Sequence, residues 1–139
     1  MNDNSSQSPA PERLSWLRRW GLTVAWMLAI FIATSIPNNG GGPGKGIDKI
    51  HHLLAYVVLA VLAHRSWSLS RSAPQTKLGL AGPLATAGGW ALFDELHQLA
   101  IPTRDFDLLD LAADAAGIMV GLFLASCWQH RRRNQASRL

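Results

Sequence analysis

The chain has little charge and almost no cysteine. Only 16% of its 139 residues are charged, and Cys127 is its single cysteine. One cysteine excludes an internal disulfide and a metal site built from a cysteine cluster. The sequence contains no internal repeat, and the glycine-rich segment 38–46 lacks the spacing of a phosphate-binding P-loop. At 139 residues the chain is long enough for one domain only. The class of this domain depends on where its apolar residues lie.

Apolar segments alternate with short polar ones along the chain. Mean hydropathy is only +0.08, because polar residues concentrate near the two ends and in the connections. The run 20–36 has no charge and is long enough for a slightly tilted transmembrane helix. The apolar core at 53–63 is shorter and would alone suit a buried soluble helix. We therefore expect an all-α, integral membrane four-helix bundle in which the polar ends of the helices face one another.

The first apolar run has a second interpretation. Arginines precede it and the small residues Ala33, Thr34 and Ser35 end it, as in a cleavable signal peptide. The run is longer than the apolar core of most signal peptides, and the later helices need a packing partner. We therefore favour a retained helix.

Basic residues flank the apolar segments in three clusters. With the N-terminus in the cytoplasm and four spans, ten of the thirteen lysines and arginines lie on the cytoplasmic side. This positive-inside pattern predicts that both termini are cytoplasmic (N-in/C-in). The clusters do not form one basic face with interleaved aromatic residues, so we expect no nucleic-acid partner. The clusters are Arg13, Arg18 and Arg19; Arg65, Arg71 and Lys77; and Arg131, Arg132, Arg133 and Arg138.

Tryptophans support the same topology. Four of the six lie at the predicted cytoplasmic ends of the helices, as in an interfacial aromatic belt. We expect a disordered cytoplasmic tail at 1–14, a transmembrane domain at 15–129 and a basic cytoplasmic tail at 130–139, with the lipid bilayer as partner. The four tryptophans are Trp16, Trp20, Trp67 and Trp128.

Acidic residues concentrate in the stretch 94–121, which holds six of the nine. In the predicted topology these six and Asp48 lie at or near the outer face, so the polar ends of helices two, three and four share one side. Ionisable groups inside apolar helices are costly and need partners or a purpose. The six are Asp94, Glu95, Asp105, Asp107, Asp110 and Asp114.

Helical spacing places polar side chains on common faces. Asp48, His52 and Tyr56 are four residues apart and share a face of helix two, and Glu95 and Gln98 are three apart on helix three. The predicted hairpin between helices three and four therefore faces a polar wall supplied by helix two.

Helix four carries a stripe that changes from acidic to small residues. Asp110 and Asp114 continue into Gly117 and Gly121 at four-residue spacing. The glycine pair allows another helix to approach closely, and we assign it to packing. Asp105 or Asp107 is expected to cap this helix, because acids favour a helix N-terminus.

Four short motifs occur in a fixed order, and the first helix ends in Ser35-Ile36-Pro37. The motifs are Asp48-Lys49-x-x-His52-x-x-x-Tyr56, Asp94-Glu95-x-x-Gln98, Pro102-x-Arg104 and Asp110-x-x-x-Asp114-x-x-Gly117. Together they resemble the VanZ-like family of small bacterial membrane proteins, named for a teicoplanin-resistance protein, over about residues 20–125. The resemblance implies four helices in the bacterial cytoplasmic membrane and a link to the cell envelope. For some members of the family this link includes resistance to glycopeptide antibiotics. The resemblance implies no settled biochemical activity.

Three positions depart from the family pattern. His51 doubles the histidine at 52, and His97 adds an imidazole between Glu95 and Gln98. Asp114 stands where such proteins often have asparagine, so a role that rests on an amide is in doubt at this position.

The outer polar residues suggest a pocket for a lipid-linked envelope substrate whose chain stays in the bilayer. Arg104 and Lys49 would hold a phosphate. Glu95 or Asp110 would act as general base while His52 carries the proton, although whether the protein is an enzyme stays open. The binding residues would be Asp48, Lys49, Tyr56, Gln98, Arg104 and Asp114.

Two other classes compete with this hypothesis. In a structural network, Arg104 would bridge Asp110 or Glu95, and Lys49 would pair with Asp48 or another acid. In a proton-coupled transporter the carboxylates and histidine would form a relay, although the polar residues occupy only the outer half.

A metal site is the least favoured interpretation. The candidate ligands are His52, His97, Glu95 and Asp110, but Glu95 and His97 point to different sides of one helix and no HExxH motif is present. We therefore predict no metal and assign no cofactor. The acids still outnumber Lys49 and Arg104, so the pocket should bind a cation or keep some carboxylates protonated.

Overall fold

The computed structural model describes residues 10–37, 45–70, 77–102, 104 and 106–137. These residues form four α-helices and one short 3-10 turn, with no strand among them. The predicted all-α four-helix fold is confirmed. The elements are α1 (Ala10–Thr34), α2 (Lys45–Ser70), the 3-10 turn (Lys77–Leu80), α3 (Ala81–Gln98) and α4 (Leu108–Ala136).

The start of α4 is fixed by an acidic cap. The Asp107 side chain accepts a hydrogen bond from the backbone N–H of Leu109 at 2.8 Å. This bond satisfies one of the N–H groups that a helix leaves unpaired at its first turn. The predicted cap is confirmed for Asp107, whereas Asp105 lies outside the described residues. At its other end α4 continues to Ala136, beyond the predicted domain end at 129.

Three helical segments in the described residues are long and apolar enough to cross a membrane: Ser15–Thr34, Gly46–Ser70 and Leu108–Ala136. Large apolar side chains such as Met119 and Phe123 of α4 are exposed, as lipid-facing residues would be. The 18-residue helix α3 is not among these three segments. It carries two fully buried acids, Asp94 and Glu95, which the other helices enclose.

Helices α2 and α4 make the closest contact in the bundle. A Cβ atom at Gly117 would collide with the carbonyl oxygen of Leu53, and one at Gly121 would lie 2.5 Å from the carbonyl oxygen of Val57. Only glycine allows the two backbones to approach this closely. The predicted packing role of the glycine stripe is confirmed, and this contact aligns the acidic residues of α4 with the polar face of α2.

Helix α1 is an integral wall of the bundle. The Trp26 Nε1–H donates to the Ala55 carbonyl of α2 at 2.9 Å, and the Thr23 and Ser66 hydroxyls lie 2.7 Å apart in a buried position. Ile30 joins the apolar core, so α1 is the packing partner that the later helices need. The other buried core residues are Tyr56, Leu59, Ala60, Ala87, Ala91, Ile118 and Leu122.

Candidate functional site

The polar ends of three helices meet at one end of the bundle, which we call the acidic end. The start of α2, the end of α3 and the start of α4 form it, as the predicted topology requires. Asp94, Glu95 and Asp114 are each 0% exposed there. Eight of the nine predicted site residues lie in this end, namely Asp48, Lys49, His52, Tyr56, Glu95, Gln98, Asp110 and Asp114.

Lys49 joins α2 to the start of α4. Its Nζ lies 2.7 Å from Asp107 Oδ2 and 2.5 Å from Asp110 Oδ1. The predicted pairing of Lys49 with an acid is confirmed, and the partners are the cap residue and the first buried acid of α4. Because two carboxylates share this ammonium group, Lys49 supports the site rather than offering an unused cation to a ligand.

His52 and Asp114 form a buried pair between α2 and α4. His52 Nδ1 lies 3.0 Å from Asp114 Oδ1, and both side chains are buried. With Nδ1 as donor, Nε2 becomes the basic nitrogen of a neutral ring. One turn along α2, the Tyr56 hydroxyl is fully buried, and it has no hydrogen-bond partner among the described residues.

Glu95 is held from two sides. Its Oε2 accepts the backbone N–H of Asp107 at 3.2 Å, and Gln98 Nε2 donates to Oε1 at a long 3.5 Å. The first bond connects the end of α3 to the residue that caps α4. Glu95 therefore sets the geometry of the hairpin and also presents a carboxylate inside the bundle.

Thr34 and Asp94 belong to the site and were not among the predicted site residues. The Thr34 hydroxyl, at the last residue of α1, donates to Asp94 Oδ1 at 2.7 Å. In the sequence Asp94 belongs to the six clustered acids and to a motif, and Thr34 belongs to a possible cleavage site. A hydroxyl at the polar end of an apolar helix, on the same side as buried acids, was the available signal.

Arg104 lies apart from the buried carboxylates. Its Nε and Nη2 groups donate to the Ile36 carbonyl at 3.4 Å, so the predicted bridge to Asp110 or Glu95 is wrong. Arg104 instead lines an open cavity of about 410 Å³ between α1 and α2. The other polar lining residues are Thr34, Asp48, His51, His52 and Tyr56, and the apolar ones are Trp26, Ala29, Ile30, Ala33 and Ala55.

The residues that could hold a metal differ from the candidate ligands of the least favoured interpretation. The His97 ring packs against Phe31, with centroids 4.4 Å apart, and against Phe93. His97 therefore lies outside the site, on the other side of α3 from Glu95, as its position on the helix predicts. Two groups instead bring potential ligand atoms within 4.8 Å of one another: His52, Glu95 and Asp114, and Asp48, His52 and Asp110.

The arrangement combines a buried histidine–carboxylate pair, further buried carboxylates and an adjoining cavity with an arginine at its rim. Comparison with protein families identifies the scaffold: the VanZ/LLP1 profile matches residues 5–129. The chain belongs to the VanZ/LLP1 family. With three segments able to cross a membrane, it is a VanZ-like membrane protein. No curated protein and no solved structure matches the chain.

Proposed function

We propose that this VanZ-like protein binds the anionic head group of a lipid-linked cell-envelope precursor at the outer face of the bacterial cytoplasmic membrane. The observation that carries the proposal is the cavity between α1 and α2, which has a polar end and an apolar wall. Such a cavity suits an amphiphile whose head group is polar and whose chain remains in lipid.

The polar end of the cavity suits a phosphate. Arg104 contacts Ile36 only through long bonds, and its planar guanidinium matches phosphate geometry bidentately. His51 and Thr34 add further polar groups to the lining. In this proposal Arg104 holds the phosphate, while Lys49 stabilises the hairpin that carries Arg104.

The apolar wall suits the lipid chain. Trp26, Ile30 and Ala55 face the same cavity, and small residues such as Ala29 and Ala33 leave room beside α1. An acyl or isoprenoid chain in this groove would replace lipid contacts without exposing backbone groups.

Charge distribution supports the proposed orientation. Ten of the thirteen lysines and arginines flank the opposite ends of the helices, which the positive-inside rule assigns to the cytoplasm. The acidic end and the cavity beside it would then open at the outer leaflet.

Modification of the bound head group would use His52. In this proposal its Nε2 accepts a proton from a hydroxyl or water at the head group, while Asp114 orients the ring through Nδ1. His52 thereby replaces Glu95 and Asp110 as the proposed general base. Glu95 accepts a bond from the Asp107 backbone, and Asp110 pairs with Lys49.

A transporter is less well supported. The buried apolar residues Leu59, Ala60, Ile118 and Leu122 lie along α2 and α4 between the acidic end and the next buried polar pair, Thr23 and Ser66. In the described residues this layer leaves no continuous polar path along the bundle. The binding proposal requires no such path.

Binding to lipids in nanodiscs tests the proposal. We expect the full-length protein to bind a polyprenyl phosphate and to bind the uncharged polyprenol at least tenfold more weakly, because only the phosphate can pair with Arg104. Arg104→Gln should remove this discrimination. Arg133→Gln, at the exposed end of α4, is the matched control and should retain it. Equal affinity of the wild-type protein for both lipids would refute the proposal.

A further inference from the structure

Three ligating side chains from three helices converge in the acidic end. His52 of α2, Glu95 of α3 and Asp114 of α4 are all buried, and their potential ligand atoms lie within 4.8 Å of one another. Two atoms that bind one tetrahedral ion at about 2.1 Å lie roughly 3.4 Å apart. His52 Nδ1 and Asp114 Oδ1, at 3.0 Å, are already close to this separation. Small side-chain rotations would bring all three onto one ion.

Charge balance in this place requires a cation or bound protons. Asp94, Glu95 and Asp114 are fully buried, and the described residues provide none of the three with a lysine or arginine ion pair. Lys49 is shared by Asp107 and Asp110. In the part of the chain that the structure describes, the basic groups within electrostatic range of these three carboxylates are the histidines His52 and, for Asp94, His97. Three buried carboxylates with such neighbours are costly inside a bundle that faces lipid.

Buried oxygen atoms without a hydrogen-bond partner occur in the cluster and beside it. Within the described residues, Asp114 Oδ2, Asp94 Oδ2 and the Tyr56 hydroxyl are buried without a hydrogen-bond partner. Tyr56 lies within electrostatic range of Asp94, Glu95 and Asp114. Buried polar atoms in folded proteins nearly always have a partner, so several orphaned oxygens in one place indicate a ligand.

We propose that His52, Glu95 and Asp114 bind a divalent metal ion. One imidazole and two carboxylates suit zinc or manganese, and three protein ligands leave coordination positions open, as in catalytic sites. The ion would neutralise most of the buried charge and hold α2, α3 and α4 together. A metal on His52 Nδ1 would place the ring hydrogen on Nε2, so the ion-bound protein could not use Nε2 as the base proposed above. Lipid binding through Arg104 does not involve this ion, so the binding proposal and the metal proposal can fail separately.

Metal content and metal binding of the purified full-length protein test this inference without any lipid ligand. A preparation made with a histidine-free tag and no chelator should contain about one equivalent of zinc or manganese by elemental analysis. After chelation, titration calorimetry should show one site for that ion, and the ion should raise the midpoint of thermal denaturation.

Conservative substitutions locate the ion. Asp114→Asn and Glu95→Gln should each weaken binding by at least about 100-fold, because each removes one of three ligands. Either variant suffices if the other fails to fold. His97→Gln, which changes an imidazole on the other side of α3, should bind like the wild type.

Two results would overturn the inference. One is a wild-type protein that contains no stoichiometric metal and binds none of zinc, manganese, magnesium or calcium. The other is binding that survives Asp114→Asn and Glu95→Gln but is lost in Asp48→Asn, which would place the ion among Asp48, His52 and Asp110 instead.

Discussion

The two ends of the bundle differ in how completely their buried polar groups are hydrogen-bonded. At the basic end, opposite the acidic end, Thr23 and Ser66 bond to each other, and the Ser66 hydroxyl also reaches the Arg19 carbonyl at 2.6 Å. Exposed Arg132 lies over the Trp128 ring, with its guanidinium carbon 4.0 Å from the ring centroid. The two buried hydroxyls here are paired, and the described arginines lie at or near the surface.

At the acidic end the charges are inside and the pairing is incomplete. Asp94 and Asp114 each use one oxygen in a hydrogen bond, and the other oxygen is buried without a partner in the described residues. Networks that only stabilise a fold are usually fully paired, whereas binding sites retain unpaired groups for their ligands. In our proposal the basic end therefore serves stability, and the acidic end serves binding at a cost in stability.

The largest expected effect comes from Lys49→Met. The substitution removes the cation shared by Asp107 and Asp110 and leaves a buried carboxylate without an ion pair, while the apolar stem is retained. We expect a loss of about 2–3 kcal/mol, allowing for the partial exposure of Lys49. Thermal denaturation in detergent measures it, with Arg133→Met as the control. A change no larger than in that control would show that the acidic end is not organised by this ion pair.

Gly117→Ala should weaken the contact between α2 and α4, which connects the acidic end to the basic end. The added Cβ would strike the Leu53 backbone, and the overpacked α2–α4 interface should lose about 1–3 kcal/mol. Gly89→Ala in α3 is the matched control, because its Cβ would meet no atom within 4 Å, and this variant should be neutral or slightly stabilised. Equal denaturation midpoints for the two variants would contradict the close approach of α2 and α4.

Ser66→Ala and Asp114→Asn compare the two ends directly. Ser66→Ala removes a paired hydroxyl from the basic end and should cost about 1 kcal/mol. In chelated protein, Asp114→Asn replaces a buried charge by an amide of the same shape. It should therefore leave stability unchanged or raise it slightly, as is common where function opposes stability. Denaturation midpoints give both values, and a larger loss for Asp114→Asn would make the acidic end structural.

Sequence patterns predict the parts of the site that depend on one helix. Four-residue spacing places His52 and Tyr56 on one face of α2, and an acid at the start of α4 predicts the Asp107 cap. Partners on different helices were harder to predict. The Thr34–Asp94 bond joins residues 60 positions apart, and its geometry depends on how α1 packs against α3.

Arg104 shows why loop residues are the hardest to place. Its charge favours any nearby acid, and Glu95 and Asp110 lie close in sequence, yet its donors reach the Ile36 carbonyl 68 positions away. The path of the segment between α3 and α4 determines where Arg104 lies. Two bonds position the end of this segment, one from the Asp107 backbone to Glu95 and one from Lys49 to Asp110. Neither bond follows from helical spacing, so the sequence alone does not predict that Arg104 lies apart from the buried acids.

Native mass spectrometry of the protein released from its own membrane tests the central claim most directly, because no added ligand biases the result. Wild-type protein should retain a phosphate-bearing, lipid-linked precursor through detergent exchange, and Arg104→Gln should lose it while remaining folded. The same bulk phospholipids in the same proportions on both proteins, with no such precursor on either, would contradict binding of a lipid-linked precursor through Arg104.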